Sequence, residues 1–180
     1  MLRSLAHRAI RVDTAVHRAV RGRATAPPVV SGARALSVFG EHALGWVVVG
    51  ATAAALDHRR RAAWSRAVVS VLAAHAAGVV VKRAVRRQRP LLADLPHLGR
   101  TPSALSFPSA HASSTFAAAA AYAPLAPGVP WRTTAVAMGV SRVLLGVHYP
   151  SDVLAGALLG TAVGRASRAA VATAERAVEG

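Results

Sequence analysis

The chain has 180 residues, enough for one domain's core but not for two. It is 53% hydrophobic yet carries a formal charge of +15, which points away from a soluble nucleic-acid binder and towards a membrane protein whose ends meet anionic headgroups. Cysteine is absent, excluding disulfides and thiolate metal sites, and the seven acids are scattered, so no carboxylate cluster offers to hold a divalent metal.

Residues 2–20 place Leu2, Leu5, Ala9, Val12, Val16 and Val20 at steps of three and four, with Arg3, Arg8, Arg11 and Arg18 between them. The spacing predicts a basic amphipathic helix lying on a membrane surface; a soluble helix packed on the domain is the competing reading. No continuous apolar run follows the first charges, so the stretch does not read as a secretory signal. Arg21 to Pro28 reads as a linker. Apolar segments follow at about 36–56, 64–82, 108–126, 131–149 and 151–170, each approaching the ~20 residues that cross a bilayer. Glu41, His42, His75, Arg142 and His148 interrupt them, which keeps a soluble helical bundle in play. The roles of Glu41 and His42 stay open, and His75 reads as a core or supporting histidine. On the last segment Gly156, Gly160 and Gly164 repeat every four residues and would admit a close neighbouring helix. The expected organisation is an N-terminal helix and linker over 1–35, a membrane domain over 36–172 and a tail over 173–180.

If all five segments cross, Lys82, Arg89, His111, Arg142, His148 and Asp152 converge at one membrane face. Charge inside apolar segments is costly and marks function. Lys82 and Arg89 are seven residues apart, so a helix continued to Arg89 and ended by Pro90 would aim both at one phosphate. Juxtamembrane anchoring is the plainer reading, because Arg83, Arg86 and Arg87 lie beside them. Ser106-Phe107-Pro108-Ser109-Ala110-His111 reads as a helix start with Ser106 as cap. Free N–H groups and the Ser109 hydroxyl there would bind anionic oxygen, and His111 could protonate a leaving alkoxide. At the start of the last segment, Ser151 or Asp152 could accept a bond from a ring nitrogen of His148, fixing its tautomer for nucleophilic attack.

These stretches form three ordered motifs: Lys82-x6-Arg89-Pro90, Pro108-Ser109-Ala110-His111, and Ser141-Arg142-x5-His148-x3-Asp152. Together they resemble the type-2 phosphatidic acid phosphatase superfamily, which also contains vanadium haloperoxidases, and the only lysine of the chain falls on the motif lysine. The resemblance implies an all-α, polytopic membrane helical bundle with about five membrane segments plus the N-terminal amphipathic helix. It implies phosphate-ester hydrolysis with no metal and no cofactor. His148 would be the nucleophile, Asp152 its support, and His111 the acid and then the base. Lys82, Arg89, Ser109, Ala110 and Arg142 would hold the phosphate. Ala110 stands where the family usually has glycine, so an altered fit is expected there.

The implied partners are a phosphorylated lipid substrate and an anionic membrane surface, with no nucleic acid; the oligomeric state is not legible. More cations lie on the side shared by the N-terminus and the site than on the other, even without the motif cations. That favours an integral bacterial inner-membrane protein with a cytoplasm-facing site. Phe39-Gly40-Glu41-His42, the Pro-Ser-Ala-His variant and the short length are similar to the branch that acts on decaprenylphosphoryl-5-phosphoribose in arabinan precursor synthesis. Undecaprenyl diphosphate and phosphatidate are the alternative substrates, and a non-catalytic membrane scaffold is the alternative of another class.

Overall fold

Seven α-helices carry the chain. The computed structural model describes residues 2–23, 26–92, 94–95 and 97–179, with side chains over 10–22, 26–92, 94–95 and 97–169. In order they are α1 (Leu2–Arg23), α2 (Pro27–Phe39), α3 (Leu44–Leu56), α4 (Arg61–Val85), α5 (Ala110–Tyr122), α6 (Trp131–Leu144) and α7 (Pro150–Glu179). Short 3-10 turns join α2 to α3 at Glu41–Ala43 and α3 to α4 at His58–Arg60. Among the described residues the only β pairing is an isolated antiparallel bridge between Gln88 and Leu105.

A helix stands at each of the five expected apolar segments, with different ends. The first segment is a pair, α2 and α3, bent by 51°. His42 (φ 50°) and Ala43 (φ 64°) hold left-handed backbone in that bend, a conformation costly for residues other than glycine. The stretch His58–Val85 is long and apolar enough to cross a bilayer. With 13 and 14 residues, α5 and α6 are shorter than the sequence implied. The 108–126 stretch turns after Tyr122, and the 131–149 stretch leaves its helix at Leu144, ahead of Gly146 with φ 79°. The reading of 21–28 as linker holds only in part: α1 runs to Arg23, α2 starts at Pro27, and residues 24–25 lie outside the described ones. The C-terminal tail expected from 173 continues α7, and its side chains also lie outside them.

The packing is inverted relative to a soluble bundle. On α3, Trp46, Gly50 and Ala54 face inward, while Leu44, Val48 and Leu56 are exposed. On α4, the small residues Ala67, Ser70, Ala74 and Gly78 face inward beside Trp64 and Val71, while Val69, Leu72 and Val80 are exposed. Small residues inside let backbones approach, and large aliphatic ones outside suit lipid. The aromatic residues of the core cluster at one level: Tyr122 lies 5.3 Å from Trp64 and 5.5 Å from Trp131, ring centre to ring centre. Their polar tips are satisfied, the Tyr122 hydroxyl by the Trp46 carbonyl and the Trp46 and Trp131 N–H groups by Thr115 and the Ala126 carbonyl. The glycine stripe does what its spacing implied. A Cβ at Gly156, Gly160 or Gly164 would strike the carbonyls of Ser109, Ser113 and Ala117 in turn, so α5 lies backbone-to-backbone on α7.

The N-terminal helix turns its polar stripe, not its apolar one, to the domain. Asp13, His17 and Arg21 are buried, whereas Ile10, Val12 and Val16 are exposed. In a low-dielectric surrounding this is the expected polarity: the charged stripe finds partners inside, and the valines face out.

Candidate active site

Lys82 sits in the last turn of α4, which ends sooner than the Lys82–Arg89 spacing implied. Arg86 adopts φ 56° and caps the helix by donating its N–H to the Lys82 carbonyl. The chain then runs extended beside residues 104–106, with Arg89 N–H donating to Ala104 O and Ser106 N–H to Arg87 O. This pairing, rather than a continued helix, turns Arg89 inward. Its Nε donates to the Ser103 carbonyl at 2.8 Å, and one terminal nitrogen reaches both the Val147 carbonyl (2.5 Å) and His148 Nε2 (3.1 Å). Burial lowers the Arg89 guanidinium to about 10, with Asp152 and Glu41 acting in the opposite sense, so it stays charged at neutral pH.

Ser109, not Ser106, caps α5. Its hydroxyl accepts the Ala112 N–H, and its own N–H donates to the Asp152 carbonyl at 2.9 Å, tying the start of α5 to the start of α7. Ser106 instead donates its hydroxyl to the Arg87 and Gln88 carbonyls. Ala110 and His111 open the helix, where N–H groups have no partner within it. His111 Nε2 lies 3.0 Å from the Ser37 carbonyl and 3.7 Å from a Glu41 carboxylate oxygen. A carbonyl only accepts, so this nitrogen carries a proton.

Arg142, in the last turn of α6, is buried and donates to the Ser37 hydroxyl at 2.5 Å, while its Nε has no hydrogen-bond partner. His148 follows in the α6–α7 loop and is also buried. A guanidinium only donates, so the contact with Arg89 makes His148 Nε2 the acceptor and leaves the ring proton on Nδ1. Nδ1 faces Asp152 Oδ2 at 3.5 Å. Asp152, on the first turn of α7, also accepts the Tyr149 N–H on Oδ2 (2.8 Å) and an Arg87 N–H on Oδ1 (2.9 Å). Ser151, the other residue weighed as the histidine's acceptor, is engaged by Asp13 and Arg87.

All eight residues singled out by the motifs thus belong to one end of the bundle, where Lys82, Arg142 and His148 act electrostatically on His111. Among the described residues Lys82, Arg89 and Arg142 form no ion pair with a carboxylate, unlike Arg87. Three cations in a largely buried pocket, one with an unused donor, make a site for a multiply charged anion. Beside it a cavity of about 220 Å³ is lined by Glu41, His42, His75, Lys82, Ser103, Ala110 and His111, among others. The sequence reading missed Ser37, which braces both Arg142 and His111, and passed over Arg87 and Asp13. Ser37 offered no signal. Asp13 did, as the single acid on a basic helix.

A family model described as the PAP2 superfamily matches residues 63–176. The chain is 49% identical over 146 residues to a decaprenylphosphoryl-5-phosphoribose phosphatase of Mycolicibacterium smegmatis, covering 81% of this chain and 79% of that one. It is 47% identical over 165 residues to the protein of the same description from Mycobacterium tuberculosis H37Rv, covering 89% and 91%. The fold matches the crystal structure of a transmembrane PAP2 type phosphatidylglycerolphosphate phosphatase from Bacillus subtilis, with a TM-score of 0.75 at 21% identity over 92% of this chain and 87% of that one.

Proposed function

Because the chain belongs to the PAP2 superfamily, we propose that it is a membrane lipid phosphatase acting through a phosphohistidine, with a polyprenyl-linked 5-phosphoribose as substrate. The observation that carries the phosphatase reading is the set of Lys82, Arg89 and Arg142, unpaired by carboxylates among the described residues, with Arg89 bonded to the acceptor nitrogen of His148 and the other two beside His111.

In the proposed reaction the phosphate oxygens lie among these cations, the Ser109 hydroxyl and the open N–H groups of α5. His148 Nε2 attacks phosphorus, and the bond to the leaving alkoxide breaks as His111 gives that oxygen a proton. Asp152 holds the Nδ1 proton and balances the charge on the phosphorylated imidazole. His111, now a base, takes a proton from water. The hydroxide attacks phosphorus, the N–P bond breaks, and inorganic phosphate leaves. No metal takes part in these steps.

Two observations support the finer substrate reading: the names of the mycobacterial relatives and the polar side chains set in the otherwise apolar lining of the adjoining cavity. Glu41, His42, His75 and Ser103 provide acceptors and donors suited to sugar hydroxyls next to the proton donor. The charge asymmetry of the sequence supports a cytoplasmic site; labelling of the site end only from the periplasm would overturn it. The deciding assay is phosphate release by detergent-purified protein with EDTA present, on decaprenylphosphoryl phosphoribose, undecaprenyl diphosphate and phosphatidate. Release from the first, abolished in His148→Ala, is expected. Preference for another lipid would overturn the substrate reading, and full turnover by His148→Ala would overturn the mechanism.

A further inference from the structure

Behind Asp152 lies a second, partly buried set of charges that the three motifs do not include. Asp13, from α1, accepts on Oδ2 from an Arg87 terminal nitrogen at 2.8 Å and from the Ser151 hydroxyl at 2.5 Å, and on Oδ1 from the Ser151 N–H at 3.0 Å. The other terminal nitrogen of Arg87 donates to Asp152 Oδ1 at 2.9 Å and to the Ser151 oxygen at 2.6 Å. The guanidinium is also stacked 4.2 Å from the centre of the Tyr149 ring. Arg87 is therefore clamped between two carboxylates, one from α1 and one from α7. Asp13 lies in the N-terminal helix, outside the stretch matched by the family model.

The geometry assigns a task to this set. A carboxylate that supports a nucleophilic histidine must present one oxygen to the ring and be kept from rotating away. Oδ2 of Asp152 faces His148 Nδ1 and is fixed by the Tyr149 N–H, so the remaining freedom lies in Oδ1, which Arg87 holds. Without Asp13, Arg87 would draw on only one carboxylate, Asp152, which faces His148. Asp13 neutralises Arg87 and orients its fork. A lysine cannot replace that fork, because it cannot bond both carboxylates in one plane.

We propose that Arg87 is a positioning residue for the Asp152–His148 pair, and that Asp13 makes α1 part of the active site by holding Arg87 in register. Arg87 touches no reacting atom in this arrangement; it acts through Asp152. Loss of either residue should therefore slow the chemical step and leave phosphate binding alone.

The inference rests on His148 being the nucleophile, so the test carries its own control. Full-length protein in detergent is assayed for phosphate release from decaprenylphosphoryl phosphoribose and from phosphatidate, with competitive inhibition by vanadate as an independent gauge of the phosphate pocket. Expected for Arg87→Ala is a fall in kcat of about 30-fold or more, with KM and vanadate inhibition within about threefold. Arg87→Lys should recover little, and Asp13→Asn should lower kcat about tenfold. The double variant should be no worse than Arg87→Ala, because both act along one chain of contacts. Unchanged kcat in both single variants, or a raised KM with kcat intact, would overturn the proposal. So would additive losses in the double variant. If Arg87→Ala does not fold, Asp13→Asn and Arg87→Lys decide the matter alone by the same split between kcat and KM. Turnover by His148→Ala would sink the underlying mechanism instead, whereas a dead His148→Ala beside unaffected Arg87 and Asp13 variants would sink this inference only.

Discussion

Both ends of the bundle are rich in arginine, and they use it in opposite ways. At the far end Arg60 is half-exposed and paired with Asp57, and Arg66, Arg165 and Arg168 line a wide opening of about 610 Å³ floored by alanines. At the catalytic end Arg89 and Arg142 are almost fully buried, at 8% and 2% exposure, with no carboxylate partner. The first arrangement is what a membrane–water boundary asks of any helix end. The second costs desolvation energy that hydrogen bonds to neutral groups offset only in part, which leaves the cations suited to an anionic ligand. Burial without a partner, rather than a count of charges, separates a site from an anchor.

The sharpest way to break this contrast is at the nucleophile. His148→Ala should lower kcat by at least ~1,000-fold in steady-state phosphate release, because the proposed mechanism passes through a covalent intermediate on this ring. Next, Arg142→Ala should cost about 10- to 100-fold in kcat/KM, the worth of a charge-assisted hydrogen bond to phosphate. Arg66→Ala, the same change at the far end, should stay within about twofold in the same assay. Equal losses at both ends would dissolve the comparison. Gly160→Val should act on both ends at once by prising α5 from α7. A fall in melting temperature of about 2–10 °C in detergent is expected, from roughly 1–3 kcal/mol of overpacking. The smallest effect belongs to Ala110→Gly, which restores the usual family residue; kcat/KM should change by no more than about threefold, since the backbone there is already helical.

The catalytic end was legible in sequence because its residues sit where charge is otherwise excluded. Lys82, His111, Arg142 and His148 interrupt apolar segments, and the alternation of segments brings them to one side whatever the local geometry. That is why the site survived a wrong reading of how Arg89 gets there. Pro90 invited a helix carried through residue 89, but the left-handed turn at Arg86 ends it, and pairing with residues 104–106 does the aiming. Ser106 was mistaken for a cap because Ser-x-Pro and Pro-Ser-Ala both look like helix starts; only the Ser109 hydroxyl bonds forward into the first turn. Arg87 was hidden by its neighbours, since a paired arginine beside Arg83 and Arg86 cannot be told from unpaired ones by type. Asp13 was obscured because a helix lying on the membrane surface gives its polar stripe to water, whereas here that stripe packs on the domain.

The glycine stripe of α7 has a consequence for how accurately this catalyst is assembled. Gly156 lies directly under the Ser109 carbonyl, one turn beyond Asp152, whose own carbonyl takes the Ser109 N–H. The floor of the phosphate pocket and the carboxylate behind the nucleophile are therefore measured off against each other by bare main chain, with no side chain between them to bend or repack. A seam of this kind acts as a gauge block. Its thickness is set by covalent dimensions, so drift elsewhere in the alanine-lined interior can accumulate without changing the spacing between the starts of α5 and α7.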